Sequence, residues 1–453
     1  MLTVTGARIL TMAAGRPAPF DGWLSVDGSG RISAVGPGAP PPGAAADGAV
    51  LDVGGSFVAP GFVSSHSHLF TSGSRGLGMD QTLYGWVEAM TAHTRHATPD
   101  DLYWLTVHGA LDFLGNGITT AYDFTSGRLD FNAATAGAGG YGGSLKPVEH
   151  LGAQITAKVD AGIRFVNSVM LDEAVGTRAE VLDRLEEVLS LGAKHREAPG
   201  YLGDAISGAV QWAAGPQAAS IEVEAMRRFG LRNQPHFLET REQLDLQRSK
   251  FAWYRDAGAF GPDLIFGHFV QATPAMIDEA AAAGCAMSWQ PASNGRLASG
   301  VADIPAIRAA GMRVGVGLDD QACTDCSDPW MNMRMGVYLL RAATHDPAAM
   351  PVADMLELHT RGSAEALGVD ADVGSLEVGK YADFLVVDPR APDTGPVWDD
   401  YGSYVLACGL RNLKAVYVGG RRVADGTGSS GPLQADATRE VHARLRAIAA
   451  RGG

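Results

Sequence analysis

Between residues 59 and 368, short apolar runs alternate with amphipathic stretches, and the alternation repeats eight times. The runs are Phe62–Ser65, Thr119–Phe124, Arg164–Met170, Ile206–Ala213, Asn233–Leu238, Leu264–Phe269, Ala286–Gln290 and Arg313–Leu318. Each has the length of a strand. Helical periodicities separate them, such as Asp100–Leu114, Arg178–Leu191, Val223–Phe229, Ala275–Ala283 and Ile304–Ala310. Thr98-Pro99-Asp100 and Thr273-Pro274 are good helix starts, a hydroxyl cap with Pro in the first turn. Eight strand–helix units predict an α/β fold, a (β/α)8 TIM-type barrel over residues 59–368. The rival is a doubly wound open sheet. Such a sheet carries G-x-G-x-x-G after its first strand when it binds a dinucleotide, and none follows Phe62–Ser65.

The two ends differ from the middle. Leu2–Leu10, Trp23–Val26 and Arg31–Val35 read as strands, with a turn at Gly28-Ser29-Gly30 and a Pro/Gly/Ala loop at Pro37–Ala49. Ala382–Asp388, Ala415–Val418 and Arg421–Val423 read likewise, with Gly419-Gly420 as a hairpin turn. The economical expectation is one small composite β-sandwich built from residues 1–58 and 369–453, the latter ending in a helix. Residues 131–147 form a Gly-rich insertion after the second strand. It reads as a surface loop or as a lid over the barrel mouth.

Composition narrows the function classes. Lys and Arg number 36 against 50 Asp and Glu, a net charge of −14, so nucleic acid is a poor partner. Hydrophobic residues make up 46% of the chain, enough for a large core. Four cysteines are too few for a disulfide framework, and a reducing cytoplasm is expected. MLTVTGARIL lacks the basic start and long apolar run of a signal peptide, and no stretch of about 18 apolar residues predicts a membrane span. A soluble enzyme acting on a small molecule fits what remains.

The chemistry-bearing residues sit at strand ends. His66-Ser67-His68 closes the first strand, and period-two alternation turns both imidazoles to one side, as a divalent metal requires. His236-Phe237-Leu238-Glu239 ends the fifth run, Gly267-His268 the sixth, and Gly317-Leu318-Asp319-Asp320 the eighth. Four of the chain's 12 histidines thus fall at the strand ends where barrels of this type do their chemistry.

Together these pieces resemble the amidohydrolase superfamily, in the branch of cytosine, guanine and adenosine-type deaminases and triazine hydrolases. Pro60-Gly61-Phe62-Val63-x-x-His66-x-His68 is similar to the first-strand motif, His236-x-x-Glu239 to the H-x-x-E, Gly267-His268 to the sixth-strand histidine. Pro291-x-Ser293-Asn294-x-x-Leu297-x-x-Gly300, Gly317-x-Asp319 and the Gly374–Asp383 signature also match, so the resemblance spans nearly the whole chain. It implies that His66, His68, His236 and Asp319 bind one divalent metal, zinc foremost, with iron(II) or cobalt as alternatives. It further implies that Asp319 handles the proton of an activated water, Glu239 delivers a proton, and His268 orients or polarises the attacking water. A second, bridged metal would need a Lys at the end of a middle strand. Thr119–Phe124, Arg164–Met170 and Ile206–Ala213 have none, and Lys158 lies upstream in a helix.

The implied reaction is hydrolytic deamination, or a related displacement, of a small N-heterocycle. The alternatives are hydrolysis of an amide, carbamate or thiocarbamate, and a catalytically inactive scaffold. Relatives often form dimers or larger homo-oligomers. Thr71 stands where many deaminases of the branch carry Gln, three residues after the second His. Trp212, Arg75, Trp86, Asn294 and Thr71 are the candidate substrate contacts, and Phe70, Phe124 and Met170 the apolar walls. Gln321 and Asp320 are further polar candidates. His93 and His96 read as an exposed helical pair, and Cys323-x-x-Cys326, in a loop without a second C-x-x-C, as an ordinary pair rather than a redox or zinc dithiol.

Overall fold

The computed structural model describes residues 1–42, 48–136 and 139–452, apart from the side chain of His93. Parallel strands run through the middle of the chain. Six form one sheet, in the order Arg232–Asn233, Tyr201–Ser207, Arg164–Met170, Ile118–Phe124, Phe62–His68 and Asp319–Asp320. Four form another, in the order His236–Phe237, Ile265–His268, Ala286–Trp289 and Arg313–Val316. Helices lie between consecutive strands, among them Pro99–Gly115, Glu149–Ala161, Arg178–Ala193, Gln217–Phe229 and Pro274–Ala282. Thr98 caps the first of these in a capping box with Asp101, and Thr273 caps the last, both followed by Pro.

The mixed α/β class expected from the alternation is observed, with the parallel strands grouped in two sheets. Two strands are interrupted. Pro235 has no N–H to give a ladder, and it separates Arg232–Asn233, which pairs with Tyr201–Ser207, from His236–Phe237, which pairs with Ile265–His268. Gly317-Leu318 separates Arg313–Val316, which pairs with Ala286–Trp289, from Asp319–Asp320, which pairs with Phe62–His68. The fourth strand ends at Ser207, six residues short of expectation. Val210–Trp212 is a 3-10 turn instead. Lys250 Nζ donates to the carbonyls of Gln211 and Ala213, both at 2.8 Å, and Glu222 accepts from Ala209 N at 2.8 Å. These contacts take the backbone groups a strand would have used.

The terminal segments were expected to make a sandwich, and their strands join in a single nine-stranded sheet. Phe57–Pro60 pairs with both Leu2–Ile9 and Phe384–Val387, which links the two ends of the chain. Gly419 and Gly420 have φ of 55° and 71°, the left-handed pair that a two-residue hairpin turn needs. Arg164, on a parallel strand, reaches across to Asp383 with two hydrogen bonds of 2.6 and 2.9 Å, both groups buried. Its guanidinium also lies 3.6 Å from the Tyr381 ring centre, on which Arg31 stacks at 3.9 Å. The C-terminal helix Gln434–Gly452 packs on Pro99–Gly115, tied by Arg451 to Asp101 and Arg444 to Asp100. Among the described residues no helix is long and apolar enough to cross a membrane.

Candidate active site

The strand ends converge. His66 and His68 lie at the end of Phe62–His68, and register pairs Asp319 with Ser67 and Asp320 with His68. Two glycines permit this closeness. A Cβ on Gly317 would stand 2.6 Å from His66 Cβ and 2.7 Å from His66 O, and one on Gly267 would stand 2.9 Å from Pro235 O and 3.2 Å from His66 Cε1. The glycines of Gly267-His268 and Gly317-x-Asp319 are therefore steric requirements of the site.

Three imidazoles converge, and the Asp319 carboxylate stands beside two of them. His66 Nε2 lies 3.1 Å from His236 Nε2 and 3.3 Å from His68 Nε2, and His68 Nε2 lies 3.1 Å from His236 Nε2. Asp319 Oδ1 stands 3.5 Å from His66 Nε2 and 3.7 Å from His68 Nε2. Donor separations of 3.1–3.7 Å are those of ligands about 2 Å from a shared divalent ion. The donor set fits a divalent metal chemically as well. His66 Nδ1 donates to Gln234 Oε1 at 2.6 Å, which leaves the Nε2 lone pair facing the centre. Burial, then the neighbouring His66, pushes His68 down to about 3, and burial pushes His236 well below the usual imidazole range. Neutral imidazoles are what a metal needs.

Glu239 and His268 complete the cluster. His268 Nδ1 accepts from Asn294 Nδ2 at 3.0 Å, so its proton resides on Nε2. That Nε2 has no hydrogen-bond partner among the described residues and lies 3.4 Å from Glu239 Oε2, with Asp319 Oδ2 at 3.9 Å. Burial lowers His268 to about 3. Burial, and then the charge of Asp319, raises Glu239 well above the usual carboxyl range. Ser293 Oγ donates to Asp319 Oδ2 at 2.5 Å. His268 and Asp319 both have φ of 66°, a left-handed backbone uncommon for non-glycine residues and concentrated at functional sites.

A cavity opens over this cluster, lined by His68, His236, Glu239, His268, Asp319 and Asp320 at its floor. Phe70, Trp86, Phe124, Met170 and Trp212 form its walls. Phe124 stacks on His68 with centroids 4.8 Å apart, and Trp212 lies 5.4 Å from His236. The insertion contributes Phe131 and Tyr141, paired with Trp212 in edge contacts of 5.7 and 5.9 Å. Gly139 N and Gly140 N anchor it to Trp212 O at 3.1 and 2.9 Å.

Three expected substrate contacts lie elsewhere. Arg75 is held by Asp112 and by Ser72 O, and does not line the cavity. Thr71 is fully buried, its hydroxyl donating to His68 O at 2.7 Å. Asn294 is buried behind His268. Gln321 is likewise turned inward, onto Gly109 O at 3.0 Å and Asp112 at 2.7 Å. His96 is exposed, and the side chain of His93 lies outside the described residues. Cys323 is buried, Cys326 exposed, and both are free thiols. Lys158 is fully buried on Asp123 and Asn167, at 2.6 and 2.9 Å. Gln234 was not singled out from sequence, and Ser293 was named only within the Pro291–Gly300 motif. For Gln234 position supplied the signal, two residues before His236.

The amidohydrolase family model matches residues 57–423. The chain is 27% identical over 433 residues, 94% of each chain, to a 5-methylthioadenosine/S-adenosylhomocysteine deaminase of Desulforudis audaxviator. An enzyme of the same description from Pelotomaculum thermopropionicum is 27% identical over 430 residues, 94% of this chain and 93% of that one. Among solved structures, a zinc-bound adenosine deaminase from Xanthomonas campestris superposes with a TM-score of 0.83 at 20% identity, covering 99% of this chain and 98% of that one. The chain belongs to the amidohydrolase family.

Proposed function

We propose that this amidohydrolase is a metal-dependent hydrolytic deaminase of a small N-heterocycle. The observation that carries the reading is the convergence of His66, His68 and His236, with Asp319 at 3.5 and 3.7 Å from the first two and Glu239 on the cavity floor beside His268. The names of the relatives, deaminases of adenine nucleosides, support a 6-aminopurine nucleoside as the first substrate to test. We read the two parallel sheets as one eight-stranded barrel. Their broken strands each pair on both sides, so the neighbour relations run in a closed ring. The nine-stranded terminal sheet is then the second domain.

His66, His68, His236 and Asp319 would hold the ion, and the zinc of the Xanthomonas campestris neighbour supports zinc as the first metal to test. When bound, the metal acidifies a water so that hydroxide is available near neutrality. Asp319 takes up that water's proton on the carboxylate. His268, donating from Nε2, orients the water oxygen and stabilises negative charge as it develops. The oxygen adds to the amino-bearing carbon, and the electron pair of the ring C=N bond moves to the ring nitrogen, which takes a proton from Glu239. The tetrahedral carbon then forms a double bond to the added oxygen, whose proton passes to Glu239 and restores it, and expels its amino nitrogen with the bonding pair. That nitrogen gains a proton through Asp319 and leaves as ammonia. The aromatic walls from Phe124, Trp86 and Trp212 suit a flat ring and exclude bulk water.

The test is ammonia release by zinc-supplied protein from adenosine, 5′-methylthioadenosine, S-adenosylhomocysteine, guanine, cytosine and aminotriazines. Amides and carbamates serve as the opposing panel. Ammonia from an aminoheterocycle is expected. Release of an acid with an amine or thiol, without ammonia from any ring, would overturn the deaminase reading and favour amide or carbamate hydrolysis.

A further inference from the structure

Residues three apart on an unbroken strand face opposite sides of its sheet, yet His236 and Glu239 both line the cavity floor. The change of side falls at Leu238, where the strand His236–Phe237 has ended. Leu238 has φ of 54°, in the left-handed region, and its side chain is buried in the core. Such a backbone persists in a leucine only where its surroundings hold it. Two contacts do so. Leu238 O accepts from Gln271 N at 2.9 Å, and Leu238 N donates to Gln211 Oε1 at 2.7 Å. The first joins main chain to main chain. The second depends on one side chain, brought in by the turn Val210–Trp212. Gln211 is fully buried and does not line the cavity, and Lys250 Nζ anchors its carbonyl at 2.8 Å. Its Nε2 has no hydrogen-bond partner among the described residues, so the amide works here as an acceptor alone. The Glu239 carboxyl has less support. Among the described residues no hydrogen bond holds it, and His268 Nε2 stands 3.4 Å away without bonding. Its direction is therefore set by the main chain that carries it.

We propose that Gln211 is a positioning residue for the reaction: by fixing the bend at Leu238 through its Oε1, it aims the Glu239 carboxyl at the ring nitrogen to be protonated. The inference rests on the deaminase reading of the same site, in which Glu239 gives that proton. Gln211 touches no substrate and moves no proton, so the bond changes stay those of that reading. Its neighbour Trp212 walls the cavity, which leaves two other ways in which position 211 could matter. It could shape the wall through Trp212, or it could hold His236 through the same bend. The experiment separates all three.

The experiment measures kcat, KM and bound zinc for the zinc-loaded full chain on the aminoheterocycle that wild type deaminates, with adenosine tried first. The variants are Gln211→Met, Gln211→Glu, Glu239→Gln and the double variant Gln211→Met with Glu239→Gln. Gln211→Met removes the acceptor at nearly constant volume. It is expected to lower kcat about 10- to 100-fold, the loss for a misplaced reacting group, with KM within about threefold and one zinc per chain retained. Gln211→Glu keeps an oxygen in place and gives up only a nitrogen that bonds nothing, so it should stay within about threefold of wild type. In the Glu239→Gln background the Gln211→Met change should cost less than about threefold, because an amide has no proton to misdirect. If Gln211→Met does not fold, Gln211→Asn, which draws the oxygen back by one carbon–carbon bond, is read in its place with the same expectations. Full multiplication of the two losses in the double variant would overturn the assignment, as would Gln211→Glu losing as much as Gln211→Met. A loss confined to KM would move Gln211 to the wall, and loss of zinc would tie it to His236; either result also overturns it. Wild type releasing no ammonia from any aminoheterocycle would bring down the deaminase reading and this inference with it. An active wild type with unchanged kcat in Gln211→Met would bring down the inference alone.

Discussion

Gln234 offers a test of the metal centre that touches no ligand and no substrate. Its Oε1 accepts from His66 Nδ1 at 2.6 Å, and its Nε2 donates to Ser65 O at 2.9 Å, all of it buried. The amide thus sets both the tautomer and the rotation of one imidazole. Gln234→Leu keeps the volume and removes both bonds. Partners of a ligating imidazole contribute about 10- to 100-fold in metal affinity, about 1.4–2.7 kcal/mol. The two stranded groups, the His66 N–H and the Ser65 carbonyl, each add about 1–3 kcal/mol of destabilisation. Gln234→Glu removes only the donor to Ser65 and leaves an acceptor for His66. Zinc affinity of apo protein, measured by competition with a chelating dye, is therefore expected to fall 10- to 100-fold for Gln234→Leu and to stay within about threefold for Gln234→Glu. Urea denaturation of the same samples separates the stability loss from the metal effect. A folded Gln234→Leu protein that binds zinc within threefold of wild type would refute the role given to this contact.

Four further outcomes are expected. Glu239→Gln should retain one zinc and lose at least about 100-fold in kcat, since an amide cannot deliver the proton; near wild-type turnover would remove Glu239 as the donor. Gly317→Ala should weaken zinc binding and lower the melting temperature, because the added methyl meets His66 Cβ and backbone at 2.6–2.8 Å; unchanged values would mean that the two strand ends separate at little cost. Arg164→Met should cost about 3–5 kcal/mol by urea denaturation, because it leaves Asp383 buried and unpaired, and Asp383→Asn in the same chain should recover part of it. His359 is buried, with Nδ1 on Val63 O at 3.2 Å, and burial lowers it to about 4. The unfolded chain binds its proton more tightly, so the stability it contributes is present above about pH 6.5 and is lost as pH falls towards 4, up to about 3 kcal/mol. His359→Gln should accordingly flatten the stability–pH curve over that window, measured by urea denaturation of metal-free protein.

Much of this was legible in the sequence because strands and their end residues are local features. Arg164–Met170 spans the same residues in the sequence reading and in the structure, and the other parallel strands differ by a few residues. His66, His68, His236 and Asp319 could be identified because each sits next to a strand end. Ile206–Ala213 was misjudged because hydrophobicity does not distinguish a strand from the turn that Lys250 and Glu222 impose, and those residues lie outside the run. Arg75, Thr71 and Asn294 were given the cavity because their neighbours face it. Which way a side chain turns depended on partners absent from the local sequence: Asp112 for Arg75, a main-chain carbonyl for Thr71, His268 for Asn294.

The misplacement of Asn294 points to what its segment does. Gln290 Oε1 accepts from His268 N at 3.1 Å, Ser293 Oγ donates to Asp319 Oδ2 at 2.5 Å, and Asn294 Nδ2 donates to His268 Nδ1 at 3.0 Å. One short stretch thus holds both of the site residues whose backbone is left-handed. Each such residue costs about 1–3 kcal/mol, and a strained backbone persists only where its surroundings over-determine it. The side chains at 290, 293 and 294 do so from one short segment, the helix Pro291–Arg296 and its N-cap Gln290, with the fixed φ of Pro291 suiting a first turn. His268 and Asp319 are then held at the same time by one rigid element rather than by two independent contacts. Ser293→Ala and Asn294→Ala should for that reason be less than additive in kcat/KM: once one bond is gone the turn relaxes, and the second has less left to hold. Strict additivity of the two losses would mean that each contact acts alone, and the segment would be two separate props.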